Sequence, residues 1–176
     1  MPYRILMTLV VMATSLAFAE DDGKVFKAGA ATSNITPWYG VNMPGGWSNR
    51  TVDFISDELH VRAIVLDDGT NTLAIATVDS CVVHRSVMDP GKARASAATG
   101  IPVTNMLVAA THTHSGASCS YIKQSPPNPE YTDFVSRRIG DAITIAWQKR
   151  EGARIGWGSG AVPDEVHNRR WYMKEG

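Results

Sequence analysis

Met106-Leu107-Val108-Ala109-Ala110-Thr111-His112-Thr113-His114-Ser115-Gly116 is an apolar run that opens onto two histidines and a loop of small residues. The run describes a buried strand that surfaces at Thr111. In extended chain, residues i and i+2 share a face. The spacing therefore predicts that the imidazoles of His112 and His114 aim at one point just past the strand end. Such a pair suits a metal ion or a polarised substrate, although two nitrogens fill only half of a tetrahedral zinc shell. Two polar residues at an ordinary strand exit have the same pattern.

Upstream, residues 59–67 alternate, with Leu59, Val61, Ala63 and Val65 on one face and His60, Arg62, Ile64 and Leu66 on the other. The Asp67-Asp68-Gly69 turn and an apolar segment at 72–78 complete a β-hairpin. On this hairpin His60 and Arg62 read as a partly exposed polar edge. Residues 84–99 are alanine-rich and predict a helix, with Pro90 marking a kink or a late start. Gly100-Ile101-Pro102 stops it, and 103–110 is the strand that delivers the histidines. This strand–helix–strand order predicts parallel pairing between the 103–110 strand and the second hairpin strand. Asp79 and His112 would then stand at neighbouring C-terminal strand ends, where open α/β sheets hold ligands.

Further along, Asn128 and Pro129 predict a helix start, and an apolar stripe of Tyr131, Val135, Ile139, Ala142, Ile143 and Ala146 carries the helix to about residue 150. Residues 153–162 read as a last strand, whose alternating Gly156, Gly158 and Gly160 would admit another backbone or a substrate. Near the other end, 25–32 reads as a first strand, and 38–49 as a glycine- and tryptophan-bearing loop of the kind that borders sites. Asn34-Ile35-Thr36 and Asn49-Arg50-Thr51 match the glycosylation acceptor pattern. The expected fold class is α/β: a mixed sheet of at least five strands with two flanking helices, part of a larger layered catalytic domain.

The first 19 residues combine Arg4, an apolar run and Ala17-Phe18-Ala19, the pattern of a secretory signal peptide cleaved after Ala19, with a retained signal anchor as the alternative. The expected location is secreted or periplasmic. A chain of 176 residues suits one domain, and 44% hydrophobic with 19% charged residues marks it as globular. Its 17 basic and 17 acidic side chains balance, so no basic stripe points to nucleic acid. Export makes a disulfide between Cys81 and Cys119 feasible, while buried free cysteine is equally in keeping with the sequence.

Nucleotide-loop, H-E-x-x-H, C-x-x-C and G-x-S-x-G motifs are absent from the sequence. The candidate functional residues are His112 and His114, with Asp79, His84, His167 and Arg169 as possible associates. Asp79 suits a ligand, an orienting carboxylate or a turn cap. His84 reads as a helix start. His167-Asn168-Arg169-Arg170 suits either an oxyanion site or a solvated basic turn.

The string Ala110-Thr111-His112-Thr113-His114-Ser115-Gly116, together with Asp79 at its strand end, resembles the neutral/alkaline ceramidase family, specifically its N-terminal catalytic domain. So do 28–37, the glycine-bearing loop after them, Arg62-Ala63 and Asn168-Arg169. The resemblance runs from about Lys27 to Arg169. It departs from the family pattern at Ala117-Ser118, where Pro-Gly is usual, and at Arg170, where Ser is commoner. It implies a zinc-dependent amidohydrolase that cleaves the N-acyl bond of ceramide to sphingosine and a fatty acid. His112 would ligate Zn2+, His114 would stand beside it as a catalytic residue, and Arg169 would face the substrate's polar head. The implied partner is a lipid, met at a membrane surface. The remaining zinc ligands of the family lie well downstream, so residues 20–176 are expected to be the N-terminal portion of a larger domain and inactive alone. Two alternatives share the same residues: an exported hydrolase of this fold acting on another amide or ester, and a non-catalytic secreted module.

Overall fold

The computed structural model describes residues 24–122, 124–165 and 173–174. In chain order the elements are β1 (Lys27–Asn34), β2 (Asn42–Met43), β3 (Arg50–Thr51), β4 (His60–Asp67), β5 (Thr72–Val78), α1 (Arg85–Thr99), β6 (Met106–Ala110), α2 (Pro129–Gln148) and β7 (Glu151–Gly152). Five strands form a mixed sheet in the order β6-β5-β4-β1-β7, and β2, within the loop expected at 38–49, pairs with β3 just beyond it as a separate ribbon. The fold is α/β, as the element pattern predicts.

The hairpin β4–β5 forms where alternation and the turn residues place it, with Val61 opposite Val78 and Asp67 opposite Thr72. Its turn is closed by the Asp68 carboxylate, which accepts the backbone N–H groups of Thr70 and Asn71 at 2.8 and 2.7 Å. These bonds favour the ionised form and lower the Asp68 pKa. Strand β6 then pairs with β5 in parallel, Val78 opposite Ala110. The connection is α1, which keeps Pro90 in its interior. Ser86, whose carbonyl Pro90 leaves without an intrahelical donor, is exposed to water, which explains why the helix neither starts late nor stops there. Gly100, at φ 77°, ends it by donating to Ser96 O at 2.8 Å.

Helix α2 starts as its sequence predicts: Asn128 Oδ1 accepts the Tyr131 N–H at 3.0 Å, with Pro129 in the first turn. Its stripe of Tyr131, Val135, Ile139, Ala142, Ile143 and Ala146 is buried, in one cluster with Val61, Ala63, Val65, Ala74, Ala76, Val78 and Val108 of the sheet. Helix α1 lies against α2 through Val87, Gly91 and Ala95. A Cβ on Gly91 would stand 2.7 Å from Ser136 O, so the two helices cross with no room for a side chain there. The described residues leave the opposite face of the sheet uncovered: Ile64, Leu73 and Leu107 are 43, 47 and 59% exposed.

Three boundaries differ from expectation. Strand β6 begins at Met106, three residues later than predicted, because Val103–Asn105 form a short 3-10 turn. The first strand runs Lys27–Asn34, two residues later than predicted, because its partner β4 extends to His60 opposite Asn34. The strand expected at 153–162 does not form; a two-residue strand, Glu151–Gly152, lies just before it and pairs with Lys27 and Ala28. The pairing is antiparallel, so it reaches the start of β1 almost at once; the last bond is Ala153 N–H to Phe26 O at 3.0 Å. Gly156, Gly158 and Gly160 have nothing within 4 Å of the position a Cβ would take, so no backbone approaches them. Among the described residues no helix is long and apolar enough to cross a membrane. The signal-peptide segment at 1–19 lies outside the described residues.

Candidate metal and active site

The parallel pair β5–β6 does not stop at its last strand residues. Thr111 N–H donates to Val78 O at 2.9 Å and His112 N–H to Ser80 O at 3.0 Å, so both chains leave the sheet side by side. His112 then takes φ 64°, a left-handed conformation uncommon for a residue with a side chain. The extended-chain argument for a shared face therefore does not apply beyond Thr111. The two imidazoles converge by another route: the bend at His112 turns its ring back toward His114. Their centroids are 4.9 Å apart at 78°, and their Nε2 atoms are 3.4 Å apart.

Each ring is anchored at its other nitrogen. His112 Nδ1 lies 2.8 Å from Cys81 O, and His114 Nδ1 lies 3.1 Å from Gly45 O. A carbonyl oxygen only accepts, so both Nδ1 atoms carry the hydrogen and donate. In the neutral rings both Nε2 atoms then bear lone pairs. Two lone pairs facing each other at this distance repel unless a proton or a cation lies between them. Donation from the far ring nitrogen to a carbonyl is also the usual support of a metal-binding histidine.

The loop carrying Gly45 clamps this arrangement. Gly45 has φ 101°, and a Cβ on it would stand 2.6 Å from His114 Cβ. Arg50 on β3 donates to His114 O at 3.2 Å. Cys81 follows β5 as the histidines follow β6, and its Sγ lies 3.9 Å from His112 Nδ1. Cys81 Sγ and one ring nitrogen from each histidine all lie within 4.8 Å of one another. Burial raises the Cys81 thiol pKa. The cluster opens into a cleft of about 450 Å3 lined also by Trp47, Val82 and Gln124. A second cleft of about 530 Å3 has a mixed lining, with Met43, Phe54, Ile55 and Leu59 beside Asp53 and Asp57, and with Thr113 and Ser115 on either side of His114.

The donors fit zinc. Nitrogens bound at 2.0–2.1 Å in tetrahedral geometry stand about 3.3–3.4 Å apart, and the two Nε2 atoms are at 3.4 Å without rearrangement.

The other candidates divide. Asp79 does stand at the neighbouring strand end, but its carboxylate accepts the His60 N–H at 3.0 Å and pairs with Arg62 at 2.5 Å. It is a structural tie between β4 and β5, not an orienting partner of His112. His84 precedes α1, and its backbone N–H donates to Ser120 Oγ at 2.9 Å. His167 and Arg169 lie outside the described residues. Cys81 and Cys119 are both buried free thiols. They have different neighbours, since Cys119 Sγ lies 3.4 Å from Ser80 Oγ and donates to Val82 O at 3.6 Å.

Sequence reasoning missed Cys81 as a site residue and the clamp of Gly45 and Arg50. The first had a signal. With Val78 opposite Ala110, residues just past Val78 must face residues just past Ala110. The clamp had a partial one, since Gly45 lies in the 38–49 loop read as bordering a site, but the contact with His114, about 65 residues away in sequence, had none.

No family model matches this sequence, and no curated protein matches it significantly. Solved structures of ceramidases resemble its fold, among them the following two. A neutral ceramidase from Pseudomonas aeruginosa superposes with TM-score 0.63 at 23% identity, over 74% of this chain and 23% of that one. A structure described as a ceramidase complexed with C2 gives 0.62 at 20% identity, over 73% of this chain and 22% of that one. The chain thus spans less than a quarter of the length of either structure. At this identity the likeness is one of fold: the described chain has a ceramidase-like α/β fold.

Proposed function

We propose that this chain supplies the strand ends that hold zinc in an exported amidohydrolase, cleaving the N-acyl bond of a ceramide-like lipid to a sphingoid base and a fatty acid. The observation that carries the reading is the Nε2 pair at 3.4 Å, each ring anchored through Nδ1 to a backbone carbonyl. His112 and His114 present Nε2 to one position, so His112 holds the ion and His114 stands beside it as a catalytic residue, the division of roles that the family resemblance implies. A zinc ion there supplies Lewis acidity toward an acyl carbonyl and acidifies water. Cys81 O and Gly45 O hold the rings in the tautomer that leaves Nε2 free. In the cleft beside Thr113 and Ser115, the side of Met43, Phe54, Ile55 and Leu59 supports a substrate with a hydrocarbon tail. Arg169, in the role the resemblance implies, faces the polar head. Residues of a longer protein complete the active domain, which acts on its lipid at a membrane surface.

Metal analysis of the purified protein tests the binding step, with about one zinc expected per chain and none in His112→Ala. Activity is tested on a protein that includes the remainder of the domain, with N-acylsphingosine beside other amides and esters. Turnover of N-acylsphingosine, lost in His112→Ala and on chelation, is the expected result. Turnover of another acyl substrate alone would leave an exported hydrolase of this fold with a different substrate. Zinc without hydrolysis of any substrate would leave a metal-binding module.

A further inference from the structure

We infer that Trp47 and Tyr121 form an aromatic rim that seats the histidine cleft on the surface of a zwitterionic lipid bilayer. The inference rests on the lipid-hydrolase reading proposed above and names the surface through which the chain meets its substrate. Trp47 lines the cleft of His112 and His114, yet it is 99% exposed. Its setting differs from that of Trp38, whose ring packs edge-on against the buried Tyr131. Ile122 lines the same cleft, and its chain neighbour Tyr121 is 65% exposed. Indole and phenol, each an apolar ring with one polar atom, are the side chains that settle at the boundary between lipid headgroups and acyl chains.

Both aromatic residues sit on segments tied to one ribbon. The loop of Trp47 is closed by Asn49 Nδ2, which donates to Asn42 Oδ1 at 2.8 Å, and Arg50 fastens it to His114 O. The segment of Tyr121 is held by Ser118 N–H, which donates to Asn42 O at 2.7 Å, and by Ser125 Oγ, which donates to Met43 O at 3.3 Å. The rim is therefore a fixed part of the cleft, and a surface that takes up the rings lies at the mouth of the site. Charge decides which bilayer this is. Among the described residues lining the cleft there is no Lys, Arg, Asp or Glu, and the chain balances 17 basic against 17 acidic side chains. An anionic leaflet recruits proteins through clustered Lys and Arg, which this lining does not offer. Apolar burial of the rings is left as the driving force, and it operates on a zwitterionic headgroup layer.

Flotation of the full chain with phosphatidylcholine vesicles tests the inference, alongside vesicles that also contain phosphatidylserine. The expected result is binding to phosphatidylcholine alone, insensitive to added salt, with a blue shift of tryptophan emission and quenching by phosphatidylcholine brominated on its acyl chains. Trp47→Ala removes a side chain in full contact with water, so the fold stays intact; partition falls roughly tenfold and the quenching is lost. Tyr121→Ala weakens partition as well. Trp157→Ala deletes an indole that is 86% exposed but outside the cleft lining, and it leaves partition and quenching unchanged. Equal losses in the two tryptophan variants would overturn the assignment of the rim. Binding that requires phosphatidylserine or disappears in salt would overturn it too. No binding by the wild-type chain would do the same and leave the aromatic residues to a protein surface. The readout needs neither metal nor turnover. Vesicle binding without hydrolysis therefore upholds the docking while the amidohydrolase reading fails, and hydrolysis without vesicle binding overturns the docking alone.

Discussion

Gly45 holds φ 101° with the Cβ of His114 pressed against it, and its carbonyl sets the tautomer of that histidine. One residue thus carries two conditions, a left-handed backbone and the absence of a side chain. Gly45→Ala violates both. The left-handed conformation alone costs about 1–2 kcal/mol, and a Cβ 2.6 Å from His114 Cβ forces the ring or the loop to move. The expected outcome is a folded protein of lower melting temperature whose zinc affinity falls further than its stability, measured by calorimetry and chelator competition. An alanine variant with unchanged zinc affinity would show that the clamp does not position His114. At this scale the histidine pair was legible in the sequence. Its geometry was not, because the left-handed φ of 64° at His112 breaks the extended-chain spacing from which a shared face was read.

At the scale of elements, α2 and the hairpin β4–β5 follow directly from local chemistry. Period-3.6 and period-2 burial, an Asn128 cap and an Asp68 turn decide them with little help from the rest of the chain. The contact between α2 and the sheet is different in kind. A Cβ on Gly29 of β1 would stand 2.1 Å from Ala146 O and 2.9 Å from Arg150 N, so the C-terminal turn of α2 rests on bare backbone. Arg150 then reaches Asp67 at the end of β4, at 2.5 Å, and stacks 4.5 Å from the Trp147 ring centroid. Gly29→Ala must lift that end of the helix, and overpacking of this sort costs about 1–3 kcal/mol. Chemical denaturation should show the loss, with the Asp67–Arg150 pair weakened alongside. A variant as stable as the parent would mean that α2 shifts freely on the sheet. The last strand fails for an element-scale reason as well: its sequence suits a strand, but antiparallel pairing carries it past the start of β1.

Across the whole molecule, Tyr131 joins the layers. It is 1% exposed, its hydroxyl donates to Ile35 O at 2.7 Å, and its ring meets Trp38 edge-on at 5.8 Å. Burial, and then the nearby Cys119 and Asp79, push its pKa well above the ordinary value. The folded state therefore keeps the phenol proton where the unfolded state releases it. Stability from this group is intact below the unfolded value of about 10 and declines as pH rises from there toward the folded pKa. In Tyr131→Phe the buried Ile35 carbonyl loses its donor, at a cost of about 1–3 kcal/mol at neutral pH. The decline above pH 10 should be shallower in that variant than in the parent, as followed by thermal melts across the alkaline range. Parallel declines would mean that other groups govern alkaline unfolding.

The division between local and global information follows from how far each interaction reaches along the chain. The hairpin strands, both helices, the α2 cap, the hairpin turn and the parallel β5–β6 pairing rest on neighbours a few residues apart or on a short connection, and the sequence alone determined them. It also determined that two histidines would leave the sheet together. The tertiary structure decided that Asp79 serves Arg62, that Cys81 and not Asp79 stands beside His112, and that Gly45 and Arg50 hold His114. Each of those outcomes depends on which segments become neighbours once the sheet closes. Burial and steric fit select those neighbours, and they act only on the assembled chain.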